Sequence, residues 1–236
     1  MDNSAETPRF LNDPKVVAIS DALEARRLRE RDQQLSVVLR DLQAAGYFVK
    51  TLYDLTDLRH VRYPVRVAEI LSAGISMVEN DDAKVLLAHA LDNPSVPGVA
   101  TPSLIKAFLA GPRYRASLRS DLGMAIQRCA SKADIDALLP IALDSQYGSD
   151  RSDIVLALGR LGRDRPDVPP VLLKLLRDPT VHVSAAAALG RLKHRAALKE
   201  VEKLLQLPEA WKRAKVKRIV ESLKKLPPPP PKRVRK

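Results

Sequence analysis

Apolar residues recur along this chain with a helical period, and from about residue 64 onward the helices come in similar pairs. Leu158, in the segment Asp153-Ile154-Val155-Leu156-Ala157-Leu158-Gly159, serves as an anchor. Equivalent positions fall at Leu91, Ile126, Leu189 and Leu223, separated by 35, 32, 31 and 34 residues. Four residues before each anchor stand Leu87, Leu122, Ile154, Ala185 and Ile219, and three before stand Ala88, Gly123, Val155, Ala186 and Val220. Offsets of −4, −3 and 0 make one apolar stripe on a helix of 3.6 residues per turn. A small residue precedes every anchor (Ala90, Ala125, Ala157, Ala188, Ser222), which lets a neighbouring helix approach closely.

Each of these helices follows another apolar one. The preceding helices read Pro64–Ile75, Thr101–Ala110, Ala133–Leu143, Val168–Arg177 and Ala196–Gln206. Ser131 with Asp134 predicts a capping box for the third. Asp167 predicts a cap for the fourth, with Pro169 and Pro170 tolerated in its first turn. Pro140 lies within the third and predicts a local kink. Asp92-Asn93-Pro94, Asp178-Pro179 and Leu207-Pro208 act as breakers. Upstream, residues 14–45 read as one or two amphipathic helices with Leu35, Val38, Leu39 and Leu42 on a shared face. They are the candidate cap for the end of a repeat stack. The charged run Glu24–Asp32 reads as a solvated helix.

Leu172-Leu173-Lys174-Leu175-Leu176-Arg177-Asp178-Pro179, followed by Ala185-Ala186-Ala187-Ala188-Leu189-Gly190, resembles a HEAT repeat of the bacterial, phycobilisome-lyase-like type. Leu143-Asp144 through Ala157-Leu158-Gly159 is a second match, and the other three copies are looser. Residues 39–70, with Ala45-Gly46-Tyr47 and Tyr63-Pro64, are similar to the opening of small bacterial HEAT-repeat proteins of unknown function. The resemblance spans about residues 35–226 and implies an all-α fold, a right-handed α-solenoid of about five helix pairs with an N-terminal helical cap. Four segments follow: a disordered N-terminus (1–13), the cap (14–62), the solenoid (63–226) and a Pro-rich basic disordered tail (227–236). The HEAT pattern places an Arg five residues before the anchor, to form a polar ladder with the turn Asp. This chain has Leu86, Asp121, Asp153, Ser184 and Arg218 there, so Asp144 and Asp178 lack that partner. Either the ladder differs, or Arg151 and His182 substitute from two residues earlier.

Composition agrees with packed helices. Of 236 residues, 45% are apolar and only 4% aromatic, so the core rests on aliphatic side chains that lose little freedom in a helix. The single Cys129 excludes an internal disulfide and suits a reducing compartment. Residues 1–14 carry no secretory apolar run, and no long apolar stretch predicts a membrane span, so a cytoplasmic location is expected. Charge is lopsided. From Arg151 onward 22 Lys and Arg face 8 acidic residues, a net +14, while residues 1–150 carry −2. Such a half attracts nucleic acid, acidic protein surfaces or anionic lipid.

Candidate chemistry is sparse. His60, His89, His182 and His194 share no metal-ligand spacing with each other or with Cys129, which stands where other copies have leucine and reads as core. Gly159-Arg160-Leu161-Gly162 follows no strand and is not a phosphate loop. No cofactor is expected. Arg119-Ser120-Asp121 recurs as Arg151-Ser152-Asp153, 32 residues on, as either a helix-start network or a row of partner-contacting groups. His182 shares that register. Trp211 reads as packing at the start of the last helix or as a ligand platform. That helix carries Lys212, Lys215 and Arg218 among its seven cations, and the prolines beyond it predict an extended rod. Some HEAT-like proteins are DNA glycosylases, a remote variant here because aromatics and an aligned acid are lacking. The sequence therefore points to a non-enzymatic scaffold for a protein partner, possible contacts being Arg119, Asp121, Arg151, Asp153, His182, Trp211, Lys212, Lys215 and Arg218. Nucleic-acid binding through the basic half is the alternative.

Overall fold

The structure is a computed structural model that describes residues 14–57, 64–93, 97–111 and 116–227. The N-terminal segment 1–13, Pro94, His60, Tyr63 and nearly all of the Pro-rich tail lie outside the described residues. Those residues form twelve α-helices and no strand. In chain order these are α1 (Pro14–Ala44), α2 (Leu52–Asp57), α3 (Val65–Met77), α4 (Asp81–Leu91), α5 (Thr101–Ala110) and α6 (Ala116–Cys129). There follow α7 (Ile135–Leu143), α8 (Ser152–Leu161), α9 (Val168–Leu175), α10 (His182–Arg191), α11 (Leu198–Lys203) and α12 (Ala210–Lys224). No helix among them is long and apolar enough to cross a membrane.

The five anchors lie one on each of α4, α6, α8, α10 and α12, and all are buried. The −4 and −3 positions are buried with them, apart from the partly covered Ile219. These helices pack each against the next, α4 on α6, α6 on α8, α8 on α10 and α10 on α12. Each also packs against the helix that precedes it in the chain, α3 on α4 through α11 on α12, and α3 touches α5 as α7 touches α9. Close approach follows from the small residues. A Cβ on Gly159 of α8 would lie 2.4 Å from the Cα of Ala188 on α10, so the two backbones meet with nothing between them.

Local signals explain the helix starts. Asn80 accepts from the amides of Asp82 and Ala83 at 2.9 and 3.0 Å, capping α4. The Asp134 carboxylate accepts from the Ser131 amide at 2.7 Å, as the capping box predicts, and opens a 3₁₀ turn that leads into α7. Asp167 differs from expectation: it makes no cap to α9, because Arg165 takes its carboxylate with bonds of 2.9 and 2.8 Å. Pro169 and Pro170 have no N–H, so fewer orphan donors need a cap there. The upstream segment is one continuous helix, α1, with Leu35, Val38 and Leu42 buried against α3 and α4. The charged run on α1 is largely solvated, although Arg27 reaches Asp82 of α4.

Candidate functional site

Seven residues before the anchors stand Arg119, Arg151 and His182, and all three are buried, 6%, 1% and 8% exposed. A buried guanidinium needs every N–H satisfied. Arg119 donates to the carbonyls of Phe108 (3.3 Å) and Gly111, lies 4.0 Å from Asp150, and sits 5.2 Å over the ring of Tyr147. Arg151 donates to Ala142 (2.8 Å) and Gly148 (3.0 Å), to Thr180 Oγ1 (3.1 Å), and to Asp178. Each arginine thus ties the end of the preceding helix to an acid in the next repeat. Of the two sequence-level readings, the helix-start network describes these arginines: their donors are turned onto the chain itself, away from any partner. The expected Asp178 partner is therefore Arg151, seven residues before the anchor, while Asp144 is served by the Gln146 amide at 2.9 Å.

His182 is the third member of this column and has no such set of bonds. Its Nε2 is buried without a hydrogen-bond partner. Burial, then the neighbouring Lys212, hold the imidazole below its ordinary pKa, so it is neutral near pH 7. It lines a groove at the N-terminal ends of α8, α10 and α12 with Ser149, Ser152, Ser184, Trp211, Lys212 and Lys215. Three of the predicted site residues, Trp211, Lys212 and Lys215, thus come together with His182. Trp211 is 64% exposed, so it does not pack at the start of α12, and Lys212 sits 5.6 Å from its ring centre. Lys212 also pairs with Glu209.

The remaining predicted residues do not join this groove. Asp121 bonds His89 Nε2 of α4 at 3.0 Å. Asp153 is half-buried on α8, and burial raises its carboxyl pKa against the opposing pull of Lys215. Arg218 is exposed on α12 along with Arg213, Lys215 and Lys217.

Sequence reasoning passed over a second groove, of about 550 Å³, lined by Asp92, Met124, Gln127, Arg128, Arg160 and Arg191. Its three arginines stand two residues after the anchors of α6, α8 and α10, a column that was legible in the repeat alignment. Arg128 pairs with Asp92 at 3.0 Å. Arg160 donates to the carbonyls of Gln127 (2.9 Å) and Ala130 (2.7 Å), closing the C-terminus of α6. Arg191 is exposed and bonds to nothing among the described residues. Burial lowers the pKa of Arg160, and Arg191 and Arg128 push it the same way, so the three cations feel one another.

Cys129 is buried, as its place in the repeat predicts, and its Sγ donates to the Leu91 carbonyl at 2.6 Å. Burial pushes its thiol up to about 11. No His, Cys, Asp and Glu grouping that would hold a metal occurs among the described residues. No family model, curated protein or solved structure matches this chain.

Proposed function

We propose that this chain is a HEAT-type right-handed α-solenoid acting as a non-enzymatic scaffold, and that it grips an acidic protein segment along the C-terminal turns of α6, α8 and α10. The recurrence of buried anchors on helices that pack in series supports the solenoid. The binding reading rests on one observation. Arg128, Arg160 and Arg191 occupy the same position of three successive helices and line one open groove beside the exposed Met124. Against these three cations the groove holds a single carboxylate, Asp92. Like charges held together repel, and an anionic partner relieves that repulsion. Neighbouring helix axes lie about 8–10 Å apart and an extended chain rises about 3.3 Å per residue, so every third residue of the partner meets an arginine.

The test is fluorescence anisotropy with a labelled peptide carrying Glu at every third position. Arg191→Glu combined with Met124→Glu should weaken binding by more than roughly tenfold, since both side chains are exposed and the fold tolerates the change. Equal affinity in the variant would overturn this reading. The nucleic-acid alternative draws on the exposed cations of α12, Arg213, Lys215, Lys217 and Arg218. It requires duplex affinity that falls with salt, with a slope of about −0.9 per neutralised phosphate, and that is lost in Lys215→Glu with Arg218→Glu.

A further inference from the structure

A separate site stands at the other end of these helices and does not depend on the arginine groove. The amides of Val183 and Ser184, in the first turn of α10, donate to no carbonyl or side chain, and Val181 before them supplies no side-chain cap. A helix N-terminus in this state carries a positive partial charge and free N–H donors. The hydroxyls of Ser149, Ser152 and Ser184 make no hydrogen bond with the chain, and they open on the same groove. Lys215 brings an exposed ammonium to it, and Lys212 a second whose charge is shared with Glu209. The independent sign of a ligand is His182. It is 8% exposed and lines the groove, and its Nε2 has no partner, whereas the two arginines in its column have every neighbour they need. An unsatisfied buried polar atom costs about 1–3 kcal/mol, and a bound acceptor for the Nε2–H removes that cost.

We propose that this groove binds one phosphate monoester, its oxygens accepting from the Val183 and Ser184 amides, the serine hydroxyls, His182 Nε2–H and Lys215. A single tetrahedral anion fits better than a nucleic-acid strand. Asp150 and Asp153 of α8 and its approach, Asp178 before α10 and Glu209 before α12 surround the groove and repel a continuous polyanion. Trp211, largely exposed beside the lysines, offers a flat surface to whatever carries the phosphate, a phosphorylated side chain or a nucleoside.

The experiment titrates the full chain with inorganic phosphate, O-phosphoserine and adenosine monophosphate, followed by amide and imidazole NMR and by calorimetry. Binding should move the Val183 and Ser184 amides and raise the His182 pKa, because an anion beside the ring favours its charged form. Lys215→Ala should weaken binding roughly tenfold. Ser184→Glu should abolish it while keeping the fold, since an acid in the first helical turn is itself favourable. Tighter binding of phosphoserine than of the nucleotide assigns the site to a peptide, and the reverse order assigns it to a nucleotide. The proposal falls if no monoester moves these resonances, with His182 then satisfied by Glu209 as a third rung of the ladder. It falls equally if a single-stranded oligonucleotide binds and the monoesters do not.

Discussion

Replacing Arg151 by Met tests the buried ladder directly. The Met side chain keeps most of the aliphatic stem but leaves the carbonyls of Ala142 and Gly148 and the carboxylate of Asp178 without their donor. Removing one partner of a buried ion pair costs about 3–5 kcal/mol. Asp178 is 24% exposed, so water restores part of its solvation, and a loss of about 3 kcal/mol is expected. At about 2–4 °C per kcal/mol for a chain of this size, the melting temperature should drop by about 6–12 °C. Thermal melts by circular dichroism read this out, with Arg191→Met, exposed and unbonded, as a control that should shift stability by less than about 0.5 kcal/mol. The pH dependence supplies a second readout. Burial raises the Asp178 pKa, but hydrogen bonds from Thr180 and then Arg151 outweigh it, and the folded value lies below the ordinary one. A depressed carboxylate contributes stability that is complete above its unfolded pKa of about 3.9 and disappears as pH falls through the folded value. The gap between wild type and variant should therefore narrow below about pH 4. A variant that melts within a degree or two of wild type at neutral pH would refute the ladder.

Other outcomes follow from the packing. Leu158→Ala and Leu189→Ala should each cost about 2–5 kcal/mol in denaturant melts, since both anchors are fully buried. Gly159→Ala should destabilise by about 1–3 kcal/mol despite the better helix former, because the new Cβ meets the Ala188 Cα at 2.4 Å. Adding Ala188→Gly should not rescue it, as the nearest atom is backbone. With its thiol pushed up to about 11, Cys129 should resist alkylation at pH 8, where its thiolate fraction is about a thousandth, and react only on unfolding. Fast native-state labelling would show that the pocket around Leu91 and Asn93 opens.

The sequence by itself determined where the core lies. The −4, −3 and anchor columns are buried nearly throughout, because a 3.6-residue period reports which face of a helix is dry, and that is a local property. It also held the all-α class and the core role of Cys129. It did not determine the role of the Arg119 and Arg151 triplets. From the chain alone a charged residue at a helix start is as readily a surface contact as a buried tie, because burying a guanidinium is favourable only where acceptors surround it. Those acceptors come from elsewhere: Phe108 and Ala142 from preceding helices, and Asp178 from 27 residues downstream. The same reason hid the arginine groove, whose three members stand one per repeat, and brought His182 to Trp211 and the lysines of α12. Hydrophobic burial can be read along one helix. The satisfaction of polar groups is decided between helices, and only the packed chain supplies the partners.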